Sequence, residues 1–78
     1  MDLKETHNRY PQYLRRAQAS QYLSEVWGLS YQPSTLTRLC AIGSGPPTHR
    51  HGRVALHTPQ DLDEFARSRI KPAPAREL

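Results

Sequence analysis

The sequence predicts a small α+β fold in the order helix, helix, two-stranded hairpin, helix. Three observations carry that expectation. Two stretches, Ala19 to Trp27 and Leu36 to Cys40, place apolar residues at helical spacing. The turn Gly43-Ser44-Gly45-Pro46-Pro47 precedes two short segments that flank Gly52. Thr58-Pro59-Gln60-Asp61 then reads as a helix start ahead of Leu62, Phe65 and Ala66.

With 78 residues, 36% of them apolar, the chain has room for one core. A domain of this size buries only about 60% of the surface its unfolded chain exposes. That length excludes a dinucleotide-binding domain, a barrel or a multi-part active site. Residues 1–12 are polar and contain Pro11, which reads as a flexible arm whose last part is anchored by Tyr10 and Tyr13. Residues 13–70 form the domain. Residues 71–78 alternate proline and alanine, which favours an extended polyproline-like tail.

The first helix is expected from about Arg16 to Val26, with Leu14, Ala19, Tyr22, Leu23, Val26 and Trp27 on one face and Gly28 closing it. Pro33 suits the first turn of a second helix, with Gln32 or Ser34 near its cap. Leu36, Leu39 and Cys40 point inward there and Gly43 stops it. Ser34, Thr35, Thr37, Arg38 and Ala41 are left outside, a small hydroxyl-rich face with one arginine. In the GSGPP turn the prolines fix the backbone and the glycines supply positive φ.

Strands are expected at Thr48 to Arg50 and Val54 to His57, joined through His51-Gly52, with Val54 and Leu56 inward and Ala55 and His57 toward solvent. In the last helix, Pro59 to about Arg69, Thr58 caps and Asp61 reaches back to the cap amide. Leu62, Phe65, Ala66 and Ile70 face the core. The remaining acids of this helix are read as solvated.

Lysine and arginine number 11 against 7 acids, for a net charge of +4. Nine of the cations are arginine, whose fork suits phosphates and guanine edges. Arg9, Arg15, Arg16, Arg38, Arg50 and Arg53 face a single acid, Glu25, between Asn8 and Arg53, whereas Asp61, Asp63 and Glu64 cluster without a cation. An electrically two-sided molecule with a polyanionic partner follows. The single cysteine, Cys40, excludes an internal disulfide, and no apolar run has the length of a membrane span, so a cytoplasmic place is expected.

His49, His51, His57 and Cys40 match no zinc-site spacing. No GxSxG elbow, phosphate loop or paired carboxylate pocket occurs, so neither catalysis nor a cofactor is expected. Trp27 and Phe65 read as core residues. Base stacking would need exposed aromatics on a basic sheet, which the sequence does not offer.

Helix, helix, hairpin, helix is the grammar of a winged helix-turn-helix. Residues 14–70 resemble the excisionase-like, MerR-superfamily winged helix-turn-helix domain, found in phage regulators and in recombination directionality factors of integrative and conjugative elements. The matching pieces are Ala19 with Tyr22-Leu23, Ser34-Thr35-Leu36, Gly45-Pro46-Pro47, Gly52-Arg53, and Asp61-Leu62-Asp63 with Phe65. Departures are Arg15 where a hydroxyl cap is usual, His57 where an aromatic is common, and a longer interhelical link.

The resemblance implies that helix two enters the major groove while the wing contacts backbone or minor groove. On that placement Arg38 is the candidate for a guanine edge, and Ser34, Thr35 and Thr37 for phosphates. Arg50, His51 and Arg53 at the wing, and Arg15 and Arg16 at the first helix start, complete the expected DNA contacts. The implied role is an accessory protein that binds attachment-site DNA and directs a site-specific recombinase (integrase), with transcriptional control as a second output, in the bacterial cytoplasm with the nucleoid. The proline tail reads either as a solvated end or as a stiff segment that docks on a neighbouring copy; since one module covers few base pairs, the second reading gives self-association along DNA through Pro72, Pro74, Arg76 and Leu78. The alternative from another class is a small protein-interaction module or antirepressor built on the same fold.

Overall fold

The computed structural model describes residues 9–72. Arg15 precedes the first helix in extended conformation, and its amide donates to Gln18 Oε1 at 3.0 Å, so glutamine supplies the missing cap chemistry from inside the helix. Helix α1 covers Arg16–Tyr22 and continues as a π-helical segment, Leu23–Trp27. This corrects the expected uniform helix. A π turn repeats near every fifth residue, which brings Tyr22 and Trp27 onto one side. There the Tyr22 hydroxyl and the Trp27 indole N–H each donate to Asp63 Oδ1 at 2.8 Å. Gly28, at φ +70°, turns the chain away as expected.

Leu14 is fully buried but lies outside α1. It exchanges backbone hydrogen bonds with His57 at 2.7 and 2.8 Å as an antiparallel bridge. Helix α2 covers Pro33–Ala41 with Gln32 at its cap and Pro33 in its first turn. Leu36 is fully buried, Leu39 and Cys40 half-buried. Past α2, Gly43 has φ +78°.

Gly45 has a different reason from the positive φ expected of it. A Cβ there would stand 2.7 Å from Cys40 Sγ and 2.8 Å from the Cys40 amide nitrogen, so the turn lies directly on the end of α2. The Cys40 thiol donates to the Pro46 carbonyl at 3.7 Å, and the Thr48 hydroxyl reaches Cys40 Sγ at 3.6 Å, which joins α2 to the start of the hairpin.

Strands β1 (His49–His51) and β2 (Val54–Leu56) pair antiparallel, with His49 opposite Leu56, Arg50 opposite Ala55 and His51 opposite Val54. The loop is therefore Gly52-Arg53, one residue later than expected, with positive φ (+65°) at its first position only, the sign pattern of a type II′ turn. The first strand starts and ends one residue later than expected, whereas the second starts at Val54 as expected and ends at Leu56, one residue early. The inside–outside alternation also fails, since all three β2 residues are half-buried. His57 is fully buried rather than solvent-facing.

Helix α3 covers Pro59–Arg69, and Thr58 Oγ1 accepts from the Asp61 amide at 3.1 Å. The Asp61 carboxylate does not return to the cap; it pairs with His49 Nε2 at 2.9 Å. Leu62, Phe65 and Ala66 join Leu14, Ala19, Tyr22, Leu23 and Leu36 in one core. Ile70, expected inside, is 47% exposed. Asp63, expected in solvent, is buried between the helices. Tyr10 packs on this core, edge-on to Tyr22 with ring centres 4.9 Å apart, the anchoring expected of it. The described residues thus form a small α+β arrangement of three helices and a two-stranded antiparallel sheet.

Candidate nucleic-acid interface

The Leu14–His57 bridge sets the start of α1 beside the end of the hairpin. Arg15 and Arg16 therefore stand at the stem of the hairpin, while Arg50, His51 and Arg53 stand at its tip. Arg15, Arg50, His51 and Arg53 are all exposed. Arg50 Nη1 reaches the Arg53 carbonyl at 3.5 Å, a long contact that leaves the guanidinium in solvent. Arg16 differs, being half-buried with its Nε enclosed and without a hydrogen-bond partner among the described residues.

On α2, Ser34, Thr37 and Arg38 are exposed and Thr35 is half-buried. The Thr37 hydroxyl donates to the Pro33 carbonyl one turn back at 3.0 Å, so its proton is engaged inside α2 rather than presented to a phosphate as expected. Arg38 stands free on the outer face. Among the described residues the His49–Asp61 contact is the one ion pair, so Arg15, Arg38, Arg50 and Arg53 have no acidic partner there. Pro72 is exposed; Pro74, Arg76 and Leu78 lie outside the described residues.

The acids are arranged differently from the expected solvated cluster. Asp61 ties α3 to β1, and Asp63 takes the Tyr22 and Trp27 donors inside the molecule, leaving Glu64 exposed. Arg67 lies over the Trp27 ring at 5.6 Å and Arg69 over Phe65 at 5.1 Å, with Arg69 also donating to the Ser44 carbonyl. These two arginines thus pack α3 against its neighbours. Glu25, the single acid of the basic stretch, accepts from the Tyr10 hydroxyl and from Gln21 Nε2, and these bonds hold its carboxyl below the usual range.

His57 is the buried titratable group at the stem of the hairpin. Its Nδ1 lies 2.8 Å from the Pro47 carbonyl, so that nitrogen carries the proton and Nε2 presents a buried lone pair with no partner among the described residues. Burial keeps the ring neutral, against the opposing effect of the Pro47 carbonyl, and the Arg16 charge acts in the same direction as burial.

Among the described residues no group of three or more histidine, cysteine, aspartate or glutamate side chains is placed to share a metal, and no helix is long and apolar enough to cross a membrane. An exposed aromatic outside the sheet flanks the basic strand: Tyr13 meets the His49 ring at 5.6 Å beside Arg50 and His51. No protein-family model matches this chain, and no curated protein matches it.

Proposed function

We propose that this protein binds double-stranded DNA as a winged helix-turn-helix accessory factor, an excisionase or recombination directionality factor that works with an integrase at attachment-site DNA. The observation that carries the reading is the set Arg15, Arg38, Arg50 and Arg53: four exposed arginines, just before α1, on α2 and on the hairpin, with no acidic partner among the described residues. Such a set neutralises phosphates and makes affinity steeply salt-dependent. The recombination role rests on the resemblance of residues 14–70 to the excisionase-like domains. Copies associate side by side along the DNA through the segment from Pro72 to Leu78.

The test is fluorescence anisotropy with an attachment-region duplex and a scrambled duplex at two salt concentrations, with and without residues 71–78. Salt-sensitive binding that prefers the native duplex, and that becomes less cooperative without the tail, is the expected result. Arg38→Ala costs about 1 to 3 kcal/mol and relaxes specificity at one base, while Arg53→Ala weakens all sequences alike. The second reading, a protein-interaction module, draws on the exposure of Ile42 at 67% and Ile70 at 47%. Equal, weak binding to both duplexes, together with intact function in Arg38→Ala and Arg53→Ala, would favour it.

A further inference from the structure

Tyr13 precedes the bridge residue Leu14 and is 44% exposed. Beside it opens a groove of about 450 Å³ lined by Tyr13, His49, Arg50, His51 and Leu56. The lining carries a guanidinium, two imidazoles, a phenol and one aliphatic side chain, and no acid. Asp61, the carboxylate behind His49, is held by that histidine's Nε2. The Tyr13 hydroxyl has no hydrogen-bond partner among the described residues, although its ring is fixed against His49 at 5.6 Å and 80°. A cation and an unused donor beside an aliphatic wall match the chemistry of a phosphate carried on a sugar. Arginine and tyrosine side chains are regular phosphate donors in DNA complexes. One tyrosine already in ring contact with a histidine does not make the row of free faces that single-strand binders use.

We infer that this groove seats one phosphodiester of a DNA duplex, with Arg50 and the Tyr13 hydroxyl donating to the phosphate oxygens and Leu56 against the sugar. The inference rests on the DNA-binding reading and adds Tyr13, which precedes the expected contacts in sequence and reaches the wing through the Leu14–His57 bridge. Tyr13→Phe tests it, because that change keeps the ring against His49 and removes only the hydroxyl.

With the full chain and a short mixed-sequence duplex, Tyr13→Phe binds about tenfold more weakly, the size of one hydrogen bond to a charged group. Its melting temperature and salt slope stay unchanged, whereas Arg50→Ala lowers the slope by about 0.9. Wild-type affinity in Tyr13→Phe would overturn the phosphate seat while leaving DNA binding intact. Failure of the wild-type chain to bind duplex at low salt would overturn both. Tighter binding of the single strand, lost in Tyr13→Ala but kept in Tyr13→Phe, would replace the phosphate seat by base stacking.

Discussion

Asp63 shows how one side chain can be misjudged from sequence. Next to Asp61 and Glu64 it looks like part of an acidic helix surface, yet positions 62, 63, 65 and 66 share the buried side of α3. The carboxylate is 3% exposed because Tyr22 and Trp27 bring two donors to it, and both are amphipathic residues that seek a partner when enclosed. The sequence held that clue in Tyr22 and Trp27, one buried and one half-buried, but the pairing spans separate helices and no local pattern specifies it. Asp63→Ala removes the acceptor shared by the Tyr22 hydroxyl and the Trp27 indole N–H and is expected to cost about 2 kcal/mol or more. On a domain of this size that lowers Tm by about 10 °C or more. Asp63→Asn retains an acceptor and loses less. Thermal melts followed by circular dichroism check both, and an unchanged Tm in Asp63→Ala would remove the network from the account.

Element ends were the most legible part of the sequence, because their chemistry is local. Pro33 and Pro59 start α2 and α3, Thr58 caps α3, and Gly28 ends the first helical stretch, all as read from residue type. What sequence spacing missed was the π segment, whose reason lies in α3, and the capture of Leu14 by His57, whose reason lies at the far end of the hairpin. The arginines of the candidate interface were legible as a charge excess, but Tyr13 was not, since its place beside β1 depends on that bridge. The two kinds of glycine make a test at this scale. Gly28→Ala meets open space and suffers only the left-handed backbone, about 1 kcal/mol. Gly45→Ala drives a methyl into the backbone of α2 and is expected to cost about 2 to 3 kcal/mol. Urea unfolding midpoints rank the two, and the reverse order would show that the Gly45 turn yields freely.

For the whole molecule, the charge asymmetry expected from sequence survives on the basic side and is reduced on the acidic side, where two of the three α3 acids are engaged by partners. Stability should follow pH accordingly. His57 is held neutral below its ordinary 6.5, so its contribution is present above that pH and is lost as pH falls through it. Burial and the hydrogen bond to Glu25 push Tyr10 up from 10.0 to about 12, and burial with the Asp63 hydrogen bond pushes Tyr22 up as well. These contributions are present below pH 10.0 and are lost as pH rises through the raised values. Denaturant unfolding across pH is expected to show a plateau between 6.5 and 10.0 that falls at both ends, and His57→Phe should flatten the acid limb. A steep limb in that variant would assign the acid loss to other groups. The Leu14–His57 bridge also bears on how the chain reaches this state. It joins residues far apart in sequence, and closing so long a loop sacrifices chain entropy before either of its hydrogen bonds forms. The α1–α2 pair, made of near neighbours, can assemble first, and docking of the hairpin onto the segment around Leu14 becomes the late step that fixes the arginines of both in one frame.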